Sequence, residues 1–151
     1  MFHLFKRKKI SSTECVDIIE GIVYEHLKPS GFRKHGRTLH RFVEKDISQV
    51  INFQNGCPQK GVYDILWINI GIRVPECAEK KFVISEPMKK YYHEYECNIR
   101  TRLGSLVDGE DTFYDLGKRP KKIAADIIDR IKKYVIPVFD VLNSREAILL
   151  Y

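Results

Sequence analysis

Arg100 and Arg102 stand two residues apart, and Asn98 lies two before them. That spacing puts all three on one face of a strand, because side chains alternate across a sheet. A planar guanidinium can donate two parallel hydrogen bonds to a carboxylate or phosphate, and an asparagine adds directional bonding beside it. The same residue types recur as Arg37, Arg41, Asn52, Gln54 and Asn69, and the single tryptophan, Trp67, lies two before Asn69. These nine side chains suit recognition of an acidic protein or a small anionic ligand. The competing account is a solvated sheet face with cross-strand ion pairs, which are worth only about 0–1 kcal/mol each. Such a face has no need to choose arginine over lysine, or to hold a tryptophan.

Catalytic chemistry finds less support. Nucleophilic catalysis requires a serine or cysteine beside a base. There is no G-x-S-x-G elbow, and Cys97 is expected to face the core. His93 and Cys97, with Glu94 and Glu96, come nearest to a metal set, but no second clustered pair joins them and zinc needs several converging ligands. Asp108, Glu110 and Asp111 stand on a turn where solvation accounts for them. No glycine-rich phosphate loop precedes a helix. The residues lean away from an enzyme and imply neither cofactor nor metal.

At 151 residues, 44% apolar and 30% charged, the chain suits one domain that buries a core unaided. The net charge of +6 favours an anionic partner. Lys89 to His93, two lysines followed by two tyrosines and a histidine, keeps nucleic acid among the partner classes, since bases stack on aromatic rings. The four cysteines form no C-x-x-C pair and no secretory signal accompanies them, as expected of free thiols in a reducing cytoplasm. Residues 1–10 place apolar residues before basic ones, the reverse of a signal peptide, and read as a flexible basic lead-in. No apolar run reaches membrane length, so no membrane partner is expected.

The elements follow from periodicity. Ser11 and Glu14 form a capping-box pattern ahead of a helix from about Ser12 to Lys28, with Cys15, Ile18, Ile19, Ile22, Val23, His26 and Leu27 on its stripe. Pro29 to Gly31 ends it. A hairpin comes next: Arg37 to Glu44 pairs with Ile47 to Gln54 across Lys45-Asp46. A two-residue connection sets Arg41 opposite Val50 and keeps Arg37 and Arg41 out of the core, whereas a loop one residue longer swaps the faces. Val62 to Val74 is the central strand, with Leu66, Ile68, Ile70 and Ile72 on its buried side. Within Pro75 to Glu94 a short helix at Glu86 to Tyr95 or an edge strand at Phe82 to Ser85 fits. Glu96 to Leu103 is a further strand, and Asp111 to Leu116 an aromatic bridge back to the core. Pro120 opens a helix to about Asn143, with Ile123, Ile127, Ile131, Tyr134, Val138 and Val141 or Leu142 inward and a kink at Pro137. Residues 144–151 form a C-terminal tail in which Ser144 caps a last short helical turn, and its apolar end, Ile148 to Tyr151, docks on the domain or meets a partner.

The ordered set Gly31-Phe32, Lys34, Gly36, Thr38, Arg41, Asn52, Gln54, Asn69-x-Gly71 and Cys97-x-Ile99-Arg100-x-Arg102-x-Gly104 resembles an uncharacterised bacterial family, domain of unknown function 4304. The resemblance spans about Leu27 to Leu116. It departs at Phe113-Tyr114, where a tryptophan is expected. It implies an α+β fold and a bacterial cytoplasmic setting, and it brings no reaction and no catalytic residue.

The expected fold is a two-layer α+β domain: an antiparallel sheet of about four or five strands, with the N- and C-terminal helices packed on one face. The expected function is a non-catalytic binding module for an acidic protein or small anion. Its rivals are a nucleic-acid binder and a small hydrolase, and self-association as a homodimer through the apolar tail and an exposed sheet edge is a further expectation.

Overall fold

The computed structural model describes residues 10–56, 64–77, 87–117 and 119–150. Expectations for the lead-in at 1–9, the Cys57 to Gly61 loop, the start of the central strand at 62–63 and an edge strand at Phe82 to Ser85 lie outside them.

Helix α1 spans Ser12–Leu27, and the Ser11 hydroxyl accepts from the Glu14 backbone N–H at 3.1 Å. A single 3₁₀ turn, Lys28–Ser30, comes after it, and Gly31 stops it in the left-handed region. The buried side of α1 is Cys15, Val16, Ile19, Glu20, Val23 and Leu27. Ile18 is exposed, as is His26, whose Nδ1 meets the Ile22 carbonyl. The expected stripe is thus turned slightly, because two cations draw Glu20 inward. Lys34 Nζ lies 2.8 Å and Arg37 Nη1 3.3 Å from its carboxylate, which removes the cost of burying an unpaired charge.

The strands are β1 (Arg33–His35), β2 (Thr38–Val43), β3 (Ile47–Gly56), β4 (Ile65–Arg73), β5 (Ile99–Arg102) and β6 (Tyr114–Asp115). They form one antiparallel sheet in the order β1-β2-β3-β4-β5, with β6 paired to β4. After β5 come α2 (Leu103–Asp108) and β6. Helix α3 (Pro120–Arg130) then passes through a π-helical turn, Ile131–Val135, into α4 (Ile136–Val141), and α5 (Arg145–Leu150) ends the described chain. The N- and C-terminal helices pack on one face, where Val16, Ile19, Val23, Ile123, Ile127, Ile131 and Phe139 meet Leu39, Ile51, Phe53, Leu66, Ile68, Ile70 and Ile72. Each such side chain, fully buried, contributes about 1.5–3 kcal/mol.

The hairpin takes the longer loop. Leu39 pairs with Ile51 and Arg41 with Gln49, around Glu44-Lys45-Asp46, in which Glu44 (φ 43°) and Lys45 (φ 74°) are left-handed without glycine. One residue more in the turn reverses every side chain of β2 relative to the two-residue register. Arg41 therefore lies on the helix side. Its charge is tolerated there because Nε donates to Gln49 Oε1 at 2.8 Å, Nη1 to the Ser30 carbonyl at 2.9 Å and Nη2 to Asp140 at 3.3 Å, with the Phe32 ring beneath.

Pro137 cannot donate to the Lys133 carbonyl. The chain meets this with the π-turn, in which Ile136 donates to Ile131, five residues back. The extra residue rotates the remainder of the helix, so the buried stripe continues on Val135, Phe139 and Leu142, while Tyr134 and Val138 are half-buried and Val141 is exposed. Among the described residues from 87 to 95, the expected short helix is only the 3₁₀ turn Glu94–Glu96. No helix among the described residues is long and apolar enough to cross a membrane.

Candidate functional site

The sheet face away from the helices carries a polar row across four strands. Thr38 pairs with Asn52, Asn52 with Asn69, and Asn69 with Arg102. The side chains bond along that row. Asn52 Nδ2 donates to Thr38 Oγ1 at 3.3 Å, Asn69 Nδ2 to Asn52 Oδ1 at 3.1 Å, and Arg102 Nε to Asn69 Oδ1 at 3.4 Å. Asn69 Nδ2 also donates to Gln54 Oε1 at 2.9 Å, and Asn52 Nδ2 to the Arg37 carbonyl at 3.2 Å. Asn69 is buried and every polar atom of its amide is satisfied, which makes the row rigid.

Two arginines end the rows on β5. The Arg102 guanidinium lies 4.6 Å from the Trp67 ring centroid and pairs through Nη1 with Asp111. Trp67 is set by Phe113, edge-on at 6.2 Å, and by Gly56, which leaves room for the indole where any Cβ would collide with it. Its Nε1–H is buried without a partner among the described residues. Arg100, opposite Gly71, clamps Glu94 with Nε at 2.7 Å and Nη2 at 3.1 Å. That bidentate bond holds the guanidinium protonated even more firmly than usual. Both arginines stay partly open to solvent, with side chains 49% (Arg100) and 33% (Arg102) exposed.

A strap at residues 87–97 covers the other half of this face. Tyr92 is buried edge-on against Phe42 at 6.2 Å, with the Arg73 guanidinium 3.9 Å from its centroid and its hydroxyl accepting from the Lys89 backbone N–H. Tyr91 stacks on His35 at 4.4 Å, and Lys89 pairs with Glu96. The tyrosines of the basic-aromatic run are thus engaged in packing, while Lys89 and Lys90 are exposed. His40, under this half, is buried, and neither ring nitrogen has a partner among the described residues.

Of the nine side chains expected to form the site, the fold gathers Asn52, Gln54, Trp67, Asn69, Arg100 and Arg102. Three stand elsewhere. Arg41 is on the helix side, where the hairpin register sends it. Arg37 sits in the β1–β2 turn beside Gly36 and pairs with Asp17 and Glu20 of α1. Asn98 precedes β5, where its amide serves backbone, accepting from Val74 N–H and donating to the Cys77 carbonyl at 2.8 Å each. The strand alternation breaks there. Cys97 in consequence packs against Gly71 on the strap side instead of facing the core: a Cβ on Gly71 would stand 2.7 Å from its sulfur. Four members of the site were not anticipated: Thr38, Glu94, Asp111 and Phe113. Only Thr38 left a signal, as one of the residues that carry the family resemblance.

Chemically, Cys97 is a protonated thiol. Burial first, then the Glu94 charge, pushes its pKa up to about 12, and the thiol donates to the His93 carbonyl. A cavity of about 210 Å³ opens between α2, α3 and β4, lined by Ile68, Leu103, Gly104, Asp108, Thr112, Phe113, Tyr114 and Arg130. Its polar groups are bound to one another: Asp108 accepts from Thr112 at 2.9 Å and Arg130 at 3.0 Å, and Asp126 accepts from Tyr114 at 2.7 Å. Among the described residues no group of three or more His, Cys, Asp or Glu is placed to hold a metal ion.

No curated protein and no solved structure matches the chain. A family model described as Domain of unknown function (DUF4304) matches residues 23–141, a span running from the end of α1 through α4 and containing the whole polar row. The chain belongs to the DUF4304 family.

Proposed function

We propose that the chain is a non-catalytic binding module of a bacterial cytoplasmic protein, in which the half of the sheet face beside the strap takes carboxylates of an acidic protein partner. Arg100 and Arg102 are the anchors: Glu94 holds the first, and Trp67 and Asn69, backed by Asn52 and Gln54, hold the second. One observation carries this reading. Each guanidinium already binds a carboxylate of its own chain, Glu94 or Asp111, while remaining partly exposed. A pre-positioned guanidinium loses less rotamer freedom on binding than a free one. The cytoplasmic setting draws support from Cys15 and Cys97, which are free and buried.

Nucleic acid fits less well. Four of the cations, Lys6 to Lys9, stand in the lead-in without an acid among them, so the other 141 residues carry a net charge of only +2. Nucleic-acid surfaces concentrate their charge.

The test compares capture of cellular proteins by the wild type, by Arg100→Ala with Arg102→Ala, and by the double lysine variant. The alanine pair is expected to lose the captured acidic partner while keeping its fold by circular dichroism. Lysine restores binding only in part, because the planar fork is gone. Unchanged capture by the alanine pair sinks the reading. Capture that survives this change and fails steeply with added salt and nuclease points to nucleic acid instead.

A further inference from the structure

We infer that the outer edge of β5 docks an extended segment of the acidic partner, which adds to the sheet as a further strand. The inference rests on the carboxylate-binding reading and gives the form its ligand takes. β5 is last in the strand order and, among the described residues, pairs with β4 alone. Among the described residues one row of its backbone N–H and C=O groups therefore has no strand beside it, the arrangement by which sheet edges accept extended peptides. In that mode the main chain supplies affinity, and alternate side chains supply specificity.

The two faces of this edge differ. Arg100 and Arg102 lie on the open face, opposite Gly71 and Asn69, while Ile99 and Thr101 lie on the helix face, opposite Ile72 and Ile70. Ile99 is 41% exposed although it sits at the rim of the core. The complementary strand is acidic at two positions two apart, toward the arginines, and apolar at the alternate positions, toward Ile99. Donors remain for it. Arg100 gives Nε and Nη2 to Glu94, and Arg102 gives Nε to Asn69 and Nη1 to Asp111. Arg100 Nη1 and Arg102 Nη2 have no such bond among the described residues.

A second copy of the chain is the wrong occupant. Antiparallel pairing of β5 with itself sets arginine opposite arginine on one face, and like charges directly opposite are destabilising. An acidic strand removes that repulsion.

The probe is a blocked peptide alternating aspartate and valine, with two further versions N-methylated on one or the other set of alternate amides. Binding to the full chain is read from Trp67 fluorescence, since the indole lies under the Arg102 guanidinium, and from hydrogen exchange of the Ile99–Arg102 amides. The parent peptide is expected to bind and protect those amides, and one methylated version should bind about tenfold or more weakly, having lost its ladder hydrogen bonds. If both methylated versions bind like the parent, edge pairing is overturned and carboxylate recognition stands. If the parent itself leaves fluorescence and exchange unchanged, both fall.

Discussion

Asn69 ties three strands of the candidate surface together, since its single amide meets Asn52, Gln54 and Arg102. A buried amide so placed must find every partner, because an unsatisfied one costs about 1–3 kcal/mol. Side chains around the polar row depend on glycines for close approach, Trp67 on Gly56 and Cys97 on Gly71, and the chain's glycines are not equivalent. A Cβ on Gly104 would stand 2.6 Å from the Thr112 carbonyl oxygen and 2.7 Å from its backbone nitrogen, whereas one on Gly21 meets nothing within 4 Å. Gly104→Ala is therefore expected to destabilise by about 1–3 kcal/mol, as overpacking against backbone does. Gly21→Ala, in the middle of α1, should stabilise by about 0.5–1 kcal/mol through helix propensity. Urea denaturation of both variants checks the pair, and equal midpoints would contradict the packing at Gly104.

At the scale of elements, α5 shows how the C-terminus is tied down. Arg145 donates from its backbone N–H to Glu44 and from its side chain to Asp46 and Glu76, all at 2.7 Å, so it bridges the hairpin turn and the 75–77 turn. That bonding holds Glu76 below the usual carboxylate range. Ser144 caps the helix, and Ile148 packs against the core while Leu149 and Leu150 stay exposed. The tail is thus docked along one side only. Arg145→Ala is expected to speed hydrogen exchange across 145–150 while leaving global unfolding nearly unchanged. Ile148→Ala should lower the melting temperature more than Leu149→Ala, because only the first removes buried surface. Equal effects of the two would mean that Ile148 does not reach the core.

For the whole molecule, pH is the informative variable, and His40 gives it a sign. Burial first, then His35 and Arg33, lowers the His40 pKa, and Arg33 is its direct cross-strand partner. The rings of Phe42 and Tyr91 enclose it further. A lowered pKa in the fold means the unfolded chain binds the proton more tightly. The stability that neutral His40 contributes is complete above the unfolded value of about 6.5 and is lost as pH falls from there toward the folded value. The melting temperature should hold from about pH 8 to 7 and decline below about 6.5, and His40→Leu should flatten that decline. Asp108, held low by Thr112 and Arg130, adds its loss only nearer the carboxylate range of about 4. An unchanged profile in His40→Leu would show that another group titrates.

Both terminal helices, the β2–β3 hairpin, β4, the strand holding Arg100 and Arg102 and the layer arrangement were legible in the residues, whereas β1, α2 and β6 were not. Alternation in β4 declared one buried face, the Ser11 cap and Pro120 marked helix starts, and the two-residue spacing of Arg100 and Arg102 put them on one side of a strand. These are local facts, decided by backbone sterics and by periods of two and 3.6 residues. Tertiary structure alone decided which neighbours those faces meet. The left-handed pair Glu44-Lys45 lengthened a turn that no glycine announced, and so sent Arg41 to the helix side. The π-turn before Pro137 shifted the buried stripe of the last long helix. Side-chain capture of backbone by Asn98 broke the alternation ahead of β5, which put Cys97 under the strap and left Glu94 beside Arg100. Each depends on one extra residue or one long-range bond, and periodicity carries no record of either. A shift of one residue reverses a face, so the composition of the polar row was legible from the residues while its membership waited on the register.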